Sequence, residues 1–191
     1  YMSDYLSGAV YKICIEKNKP DAIEVLKKTF ADKPYVQIQE LNAIYPQGAK
    51  QVMLYNATGR VAVAGRRFPS FGALIINVSS LALTAHYLKT GMPLVERIVT
   101  VDGPAVAKPM NLIAPIGTSI RELLNVTGLK SEPGKVVVGG PMNGKAICSV
   151  DDPVVKVSNA VLAFDEKSAV LPEASACINC GRCKEKCPVG I

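Results

Sequence analysis

Four of the six cysteines crowd into residues 177–191. They stand in Cys177-Ile178-Asn179-Cys180-Gly181-Arg182-Cys183-Lys184-Glu185-Lys186-Cys187-Pro188, which is C-x2-C-x2-C-x3-C-P. Thiols three residues apart on a tight loop converge on one point, which suits a metal cluster better than separate disulfide bridges. This is the spacing of [4Fe–4S] ligands. Gly181 lets the loop turn tightly and lets backbone N–H groups approach the cluster sulfides, and Pro188 redirects the chain after the last ligand. The alternative occupant is structural zinc, although zinc sites usually draw on two separated CxxC pairs. In proteins with two clusters the fourth cysteine of such a run ligates the other cluster. Cys187 either closes a single cluster here or, as this pattern favours, serves a second cluster whose remaining ligands lie beyond residue 191, and a run placed so near the chain's end is expected to hold its own cluster poorly. Thiolate ligands of this kind point to a reducing compartment.

The segments that must carry this run alternate between helix and strand. Val10 to Ile15 reads as a short strand, apolar on both faces. Pro20 opens a helix in which Ala22, Ile23, Leu26 and Phe30 recur at helical spacing, with Lys27 and Lys28 in the last turn where cations suit the helix dipole. Tyr35 to Ile38 is a second strand. Strand, helix and strand of these lengths predict a βαβ unit and a parallel sheet. Lys50 to Asn56 reads as a helix stopped at Thr58-Gly59, and Phe68 to Gly72 as a turn whose Phe68 and Phe71 are core residues. Leu74 to Val78 reads as an apolar strand, with a helix from Ser79 through Leu88.

Past Gly91 the pattern changes. Arg97 to Val101 alternates and ends at the turn signal Asp102-Gly103. Asn111 to Ile116 is another strand. Ser119 with Glu122 three later is a capping box for a helix carrying Ile120, Leu123 and Leu124, closed by Gly128. Lys135 to Val138 is a strand, and Val154 to Phe164 is β-rich. Gly139-Gly140-Pro141-Met142-Asn143-Gly144 reads either as a hairpin turn or as an anion-binding nest. From Glu166 a polar, Ala- and Ser-rich linker leads to the cysteines. Cys14 and Cys148 read as small buried residues in or ending strands, and His86, the lone histidine, as an ordinary helix residue.

Composition excludes several function classes. With 191 residues, 49% of them hydrophobic, the chain can bury a core. It has no run of 18 uncharged apolar residues, so no membrane span is expected. Tyr1 to Tyr5 has neither the basic nor the apolar region of a signal peptide, and the missing initiator Met suggests a processed product or a fragment. The net charge of +6 is spread from Lys12 to Lys186 without a dense basic tract or interleaved aromatics, so no nucleic-acid partner is expected. There is no Gly-x-Ser-x-Gly elbow, P-loop or His-Glu-x-x-His motif.

A family resemblance rests on particular stretches. They are Glu16-Lys17-Asn18-Lys19-Pro20 with Ala22-Ile23, Tyr45-Pro46-Gln47-Gly48, Leu94 through Val101, Gly139-Gly140-Pro141-Met142 with Gly144, and the cysteine run. In this order they resemble the C-subunit family of the Rnf electron-transport complex and, more distantly, the NADH- and FMN-binding subunit of respiratory complex I. The same layout recurs in Rnf-like carriers of amino-acid reductases and diol-utilisation compartments.

The resemblance implies an α/β fold in three parts. Residues 1–90 would be the C-terminal part of a Rossmann-like flavin- and nucleotide-binding domain with a parallel sheet. Residues 91–166 would be an α+β β-grasp domain of the soluble-ligand-binding (SLBB) type, and residues 167–191 the start of a ferredoxin-like [4Fe–4S] segment. It implies FMN and NADH as cofactors of the intact protein besides the clusters. It implies as partners the other subunits of a membrane-bound complex and ferredoxin or a similar carrier, with a cytoplasmic, peripheral location. The alternative is a non-catalytic docking module with a structural cluster or zinc. The resemblance also places Asn77, in Ile76-Asn77-Val78-Ser79, at a strand end that contacts FMN in the complex I relatives. An amide at the C-terminal end of a strand can bond a flavin, and it can equally cap the following helix. One departure stands out: the acidic residue that the family carries after Tyr-Pro-Gln-Gly is missing from Gly48-Ala49-Lys50-Gln51.

Overall fold

The computed structural model describes residues 8–63, 65–171 and 173–186. They divide into two compact units, one running up to Leu88 and taking in residues from Ile178 on, the other Lys89–Cys177.

The first unit begins with β1 (Tyr11–Glu16), α1 (Pro20–Thr29) and β2 (Val36–Leu41). The two strands pair in parallel from Tyr11 opposite Val36 to Glu16 opposite Leu41, so the expected βαβ unit is present. Pro20 sits in the first turn of α1, where its missing N–H costs nothing. Ile23 is the side chain α1 buries, and Lys27 reaches across to Glu40 at 2.7 Å. Next comes α2 (Lys50–Thr58), which buries Leu54 and ends at a left-handed Gly59. A 3-10 turn follows at Phe68–Phe71, whose two rings are half-buried. The last element is α3 (Val78–Thr90), in which no residue is buried.

The strand expected at Leu74 to Val78 is not formed. Neither sheet includes it, and the helix already starts at Val78. A strand needs a hydrogen-bonding neighbour, and an apolar run cannot supply one by itself.

In the second unit a five-stranded sheet has the order β4-β3-β7-β5-β6. Its strands are β3 (Glu96–Asp102), β4 (Met110–Pro115), β5 (Lys135–Val138), β6 (Lys145–Ile147) and β7 (Ala160–Phe164). β3–β4 and β5–β6 are antiparallel pairs. β7 lies between them, parallel to β3 and antiparallel to β5. Between the pairs runs α4 (Ile120–Thr127), whose Ile120, Leu123, Leu124 and Thr127 fall on one stripe and are all buried. Ile120, Leu123 and Leu124 share a core with Val99, Val101, Ala114, Val136, Val161 and Ala163. One arm of the expected capping box is formed: the Ser119 hydroxyl accepts the Glu122 N–H at 3.3 Å.

Two further expectations change. Of the β-rich stretch Val154 to Phe164 only Ala160–Phe164 is a strand. Val154 is a core residue in a loop, and the next residues turn where the Val155 N–H donates to the Ser158 hydroxyl and the Ser158 N–H to the Val155 carbonyl. Cys148 lies just past β6 and is exposed, not buried. The Gly139–Gly144 stretch is the β5–β6 hairpin loop, closed by the Gly144 N–H donating to the Gly140 carbonyl at 2.7 Å. Two short helices complete the described chain, α5 (Glu166–Ala169) and α6 (Arg182–Lys186).

Candidate cofactor sites

Parallel α/β sheets bind ligands at the carboxyl ends of their strands. β1 and β2 run the same way, so Lys17 and Asn42, the residues that follow them, meet at one edge, where the Lys17 N–H donates to the Leu41 carbonyl at 2.9 Å. An open cleft of about 270 Å³ lies there, lined by Lys17, Gln39, Glu40, Asn42, Gln47 and Asn56 with Leu41 and Ile44. Its charges are partly settled. Glu40 is held by Lys27, and that hydrogen-bonded ammonium keeps the Glu40 carboxyl below the ordinary carboxylate range. The Gln39 amide already donates to the Asn56 carbonyl at 2.7 Å.

Gln47 differs from the other residues of the cleft. It is only 4% exposed, and its Nε2 has no hydrogen-bond partner among the described residues. Burying an amide donor without a partner costs on the order of 1–3 kcal/mol. The loop that carries it is compact: the Gln47 N–H donates to the Ile44 carbonyl and the Ala49 N–H to the Pro46 carbonyl, each at 2.8 Å. Tyr45-Pro46-Gln47-Gly48 was legible as a motif, but Gln47 was not singled out as a site residue. Nothing in sequence distinguishes a buried glutamine in a turn from an exposed one.

Asn77 is exposed and sits immediately before α3. Its side-chain oxygen accepts the Ser79 N–H at 3.0 Å and its carbonyl accepts the Leu81 N–H at 2.9 Å. It therefore works as a helix cap, and this capping leaves its amide N–H groups as the part that could meet a flavin.

Cys177, Cys180 and Cys183 are all exposed. Asn179 and Gly181, on either side of Cys180, have φ of 54° and 73°. Such left-handed residues bend a chain sharply, as wrapping a compact cofactor requires. Cys183 falls in α6, which the Glu185 N–H anchors by donating to the Gly181 carbonyl at 3.1 Å. Among the described residues no three Cys, His, Asp or Glu side chains are arranged to hold a metal ion. Cys187 lies outside the described residues.

Residues 2–86 match the family model described as the Nuo51 FMN-binding domain. Over 93–94% of its length the chain is similar to three curated proteins, each the C subunit of its complex. It is 36% identical to that of the proton-translocating ferredoxin:NAD(+) oxidoreductase complex of Clostridium ljungdahlii. It is 35% identical to that of the Na(+)-translocating ferredoxin:NAD(+) oxidoreductase complex of Acetobacterium woodii. It is 36% identical to that of the ion-translocating oxidoreductase complex of Yersinia enterocolitica. The chain is homologous to part of this C subunit. It spans 39%, 41% and 26% of those three relatives. In this C-subunit homologue the FMN-domain match ends two residues short of the boundary between the two units, at Leu88. No helix among its described residues is long and apolar enough to cross a membrane.

Proposed function

We propose that this C-subunit homologue is part of an electron-transfer protein that passes electrons between NADH, FMN and [4Fe–4S] clusters in a ferredoxin:NAD oxidoreductase complex. The observation that carries the reading is the presence, on one chain and in the family's order, of an FMN-domain match over residues 2–86 and a C-x2-C-x2-C-x3-C-P run. FMN, when bound, accepts electrons in pairs and releases them singly.

The chain's own residues have separate tasks. In the first unit, read as the C-terminal part of a Rossmann-like domain, the β1 and β2 ends would place the cofactor. The buried Gln47 donor and Asn77 at the start of α3 are the polar groups suited to hold it. The second unit, read as an SLBB-type β-grasp, would position the cysteine arm or dock a partner. Cys177, Cys180 and Cys183 would share one cluster, with Cys187 directed to a second. Their donor chemistry fits: soft thiolates, with sharp bends at Asn179 and Gly181. As partners we propose the other subunits of a membrane-bound complex and ferredoxin or a similar carrier, met on the cytoplasmic face.

Anaerobic reconstitution of the full-length protein with iron and sulfide tests the cluster assignment. We expect visible colour that bleaches with dithionite, and loss of iron and colour on replacing Cys177, Cys180 or Cys183 by Ala. Unchanged iron in all three variants, or bound zinc without bleaching, would refute it and favour the docking module.

A further inference from the structure

In the first unit most described carboxylates are held by lysines, while two adjacent arginines have none to meet. Glu16 pairs with Lys19, Glu24 with Lys28, Asp32 with Lys33 and Glu40 with Lys27. Between Glu40 and Glu96 the sequence then has no Asp or Glu, yet it carries Lys50, Arg60, Arg66, Arg67 and Lys89. Arg66 and Arg67 are exposed, and among the described residues no carboxylate stands within ion-pair distance of either.

The backbone beneath the two arginines is fixed. The Arg66 N–H donates to the Val63 carbonyl at 3.2 Å, and the Ser70 N–H and hydroxyl both donate to the Arg67 carbonyl, at 3.0 and 2.8 Å. Arg60 braces the far end of the turn, its Nη1 donating to the Phe71 and Gly72 carbonyls at 2.7 and 3.3 Å. Lys12 is engaged in the same way, by the Ala57 carbonyl in the last turn of α2 at 2.5 Å. Both cations meet neutral carbonyls, so their charge adds to that of Arg66 and Arg67. Val61 and Val63, which precede the arginines, are 69% and 59% exposed. Arginine is enriched and lysine depleted at protein interfaces, because a planar guanidinium holds a carboxylate through two parallel N–H bonds and sheds water readily. A single small anion gains little from exposed cations, since water screens it. A run of carboxylates can meet both arginines at once, and apolar side chains within it can cover the valines.

We propose that the turn from Arg66 to Phe71 is a docking site for an acidic segment of a partner protein, gripped by the Arg66 and Arg67 guanidiniums with Val61 and Val63 as its apolar margin. The site stands apart from the flavin and cluster assignments and does not depend on them. Lys12 and Arg60 contribute positive potential that steers such a segment toward the turn. All of these groups are near water, so the attachment is sensitive to salt, whose screening length is about 10 Å at 0.1 M.

Binding of fluorescently labelled poly-L-glutamate to the full-length protein tests this. At low salt R66E/R67E should bind the probe about tenfold more weakly than wild type, since two exposed ion pairs are lost and two repulsions gained. R66Q/R67Q should weaken binding by about threefold on the same grounds, and it reads the site should the double reversal disturb folding. K130E/K145E alters two exposed lysines of the second unit and has the same net charge as R66E/R67E. It should stay within about twofold of wild type, and added salt should narrow all the differences. Equal weakening of R66E/R67E and K130E/K145E would mean that only net charge is read, and would overturn the proposal. So would wild type that does not bind the probe, or wild type from which pyrophosphate displaces it at equal charge concentration, the mark of a small-anion site. Binding to phosphatidylserine vesicles that R66E/R67E loses while it keeps poly-L-glutamate would make the turn a membrane contact, and would overturn the proposal as well.

Discussion

At Gly103 the backbone has a φ of 123°. A Cβ placed there would lie 2.3 Å from the Ala163 carbonyl oxygen and 2.8 Å from the Ala163 nitrogen. Both conflicts are with the backbone of β7, so no side-chain rotation relieves them. The turn is further fixed by the Gly103 N–H donating to the Asp102 carboxylate at 2.6 Å. Gly103→Ala should therefore destabilise the protein by about 2 kcal/mol or more, through combined dihedral strain and overpacking. Urea unfolding that places G103A within about 0.5 kcal/mol of wild type, the range of an ordinary surface substitution, would show that β7 yields instead. Sequence disclosed half of this residue. Asp102-Gly103 announces a turn by composition, but the pressure on Gly103 comes from Ala163, far along the chain, and no local pattern carries a contact of that range. Cysteine spacing is legible because ligand chemistry is local. The burial of Gln47 is not, because it depends on how a loop lies over two strand ends.

Elements were readable where two local signals agreed. α4 has a capping box, an apolar stripe and a closing glycine, and it forms where those signals put it. Leu74 to Val78 had apolarity alone, and apolarity without a ladder neighbour gave no strand. α4 is also tied at its surface by Arg121, whose Nε and Nη2 donate to the two Asp151 carboxylate oxygens at 2.7 and 3.0 Å. The Arg121 guanidinium is the main reason the Asp151 carboxyl lies below its ordinary range. Because the folded-state pKa is lowered, the pair stabilises the fold above the unfolded-state carboxylate pKa, and this contribution disappears as pH falls through the lowered value. Both side chains are exposed, so the effect is modest and weakened by salt. Asp151→Asn should flatten the acid limb of stability against pH while leaving the neutral-to-alkaline limb parallel to wild type. An unchanged acid limb would show that the pair adds nothing in solution. β3 and β4 add a feature that the alternation in their sequences only half revealed: Ile98 and Ile113 stand directly opposite each other on the outer face, 61% and 68% exposed.

On the scale of the whole molecule, the order of parts was legible. A parallel βαβ unit, a mixed sheet with a covering helix and a cysteine arm follow one another as their signals do. How much core each unit holds was not legible, since burial is decided by neighbours. The second unit closes its core around residues such as Val99, Val101 and Val161, which are fully buried. In the first unit α3 is a helix of thirteen residues, rich in apolar side chains, yet it buries none of them. Val78 is 75% exposed and Tyr87 54%. A helix of that length is marginal in water when little of it is buried, so its amides depend largely on their own hydrogen bonds. Deuterium should therefore enter the α3 amides of this 191-residue chain within the earliest time points, while the β3 and β7 amides resist until global opening. In the full-length protein α3 should gain protection, as a surface this apolar gains from being covered. Equal protection of α3 and β3 in the 191-residue chain would contradict this. If it holds, α3 behaves in this chain as a latent surface, where the speed of isotope uptake reports whether something has docked on it.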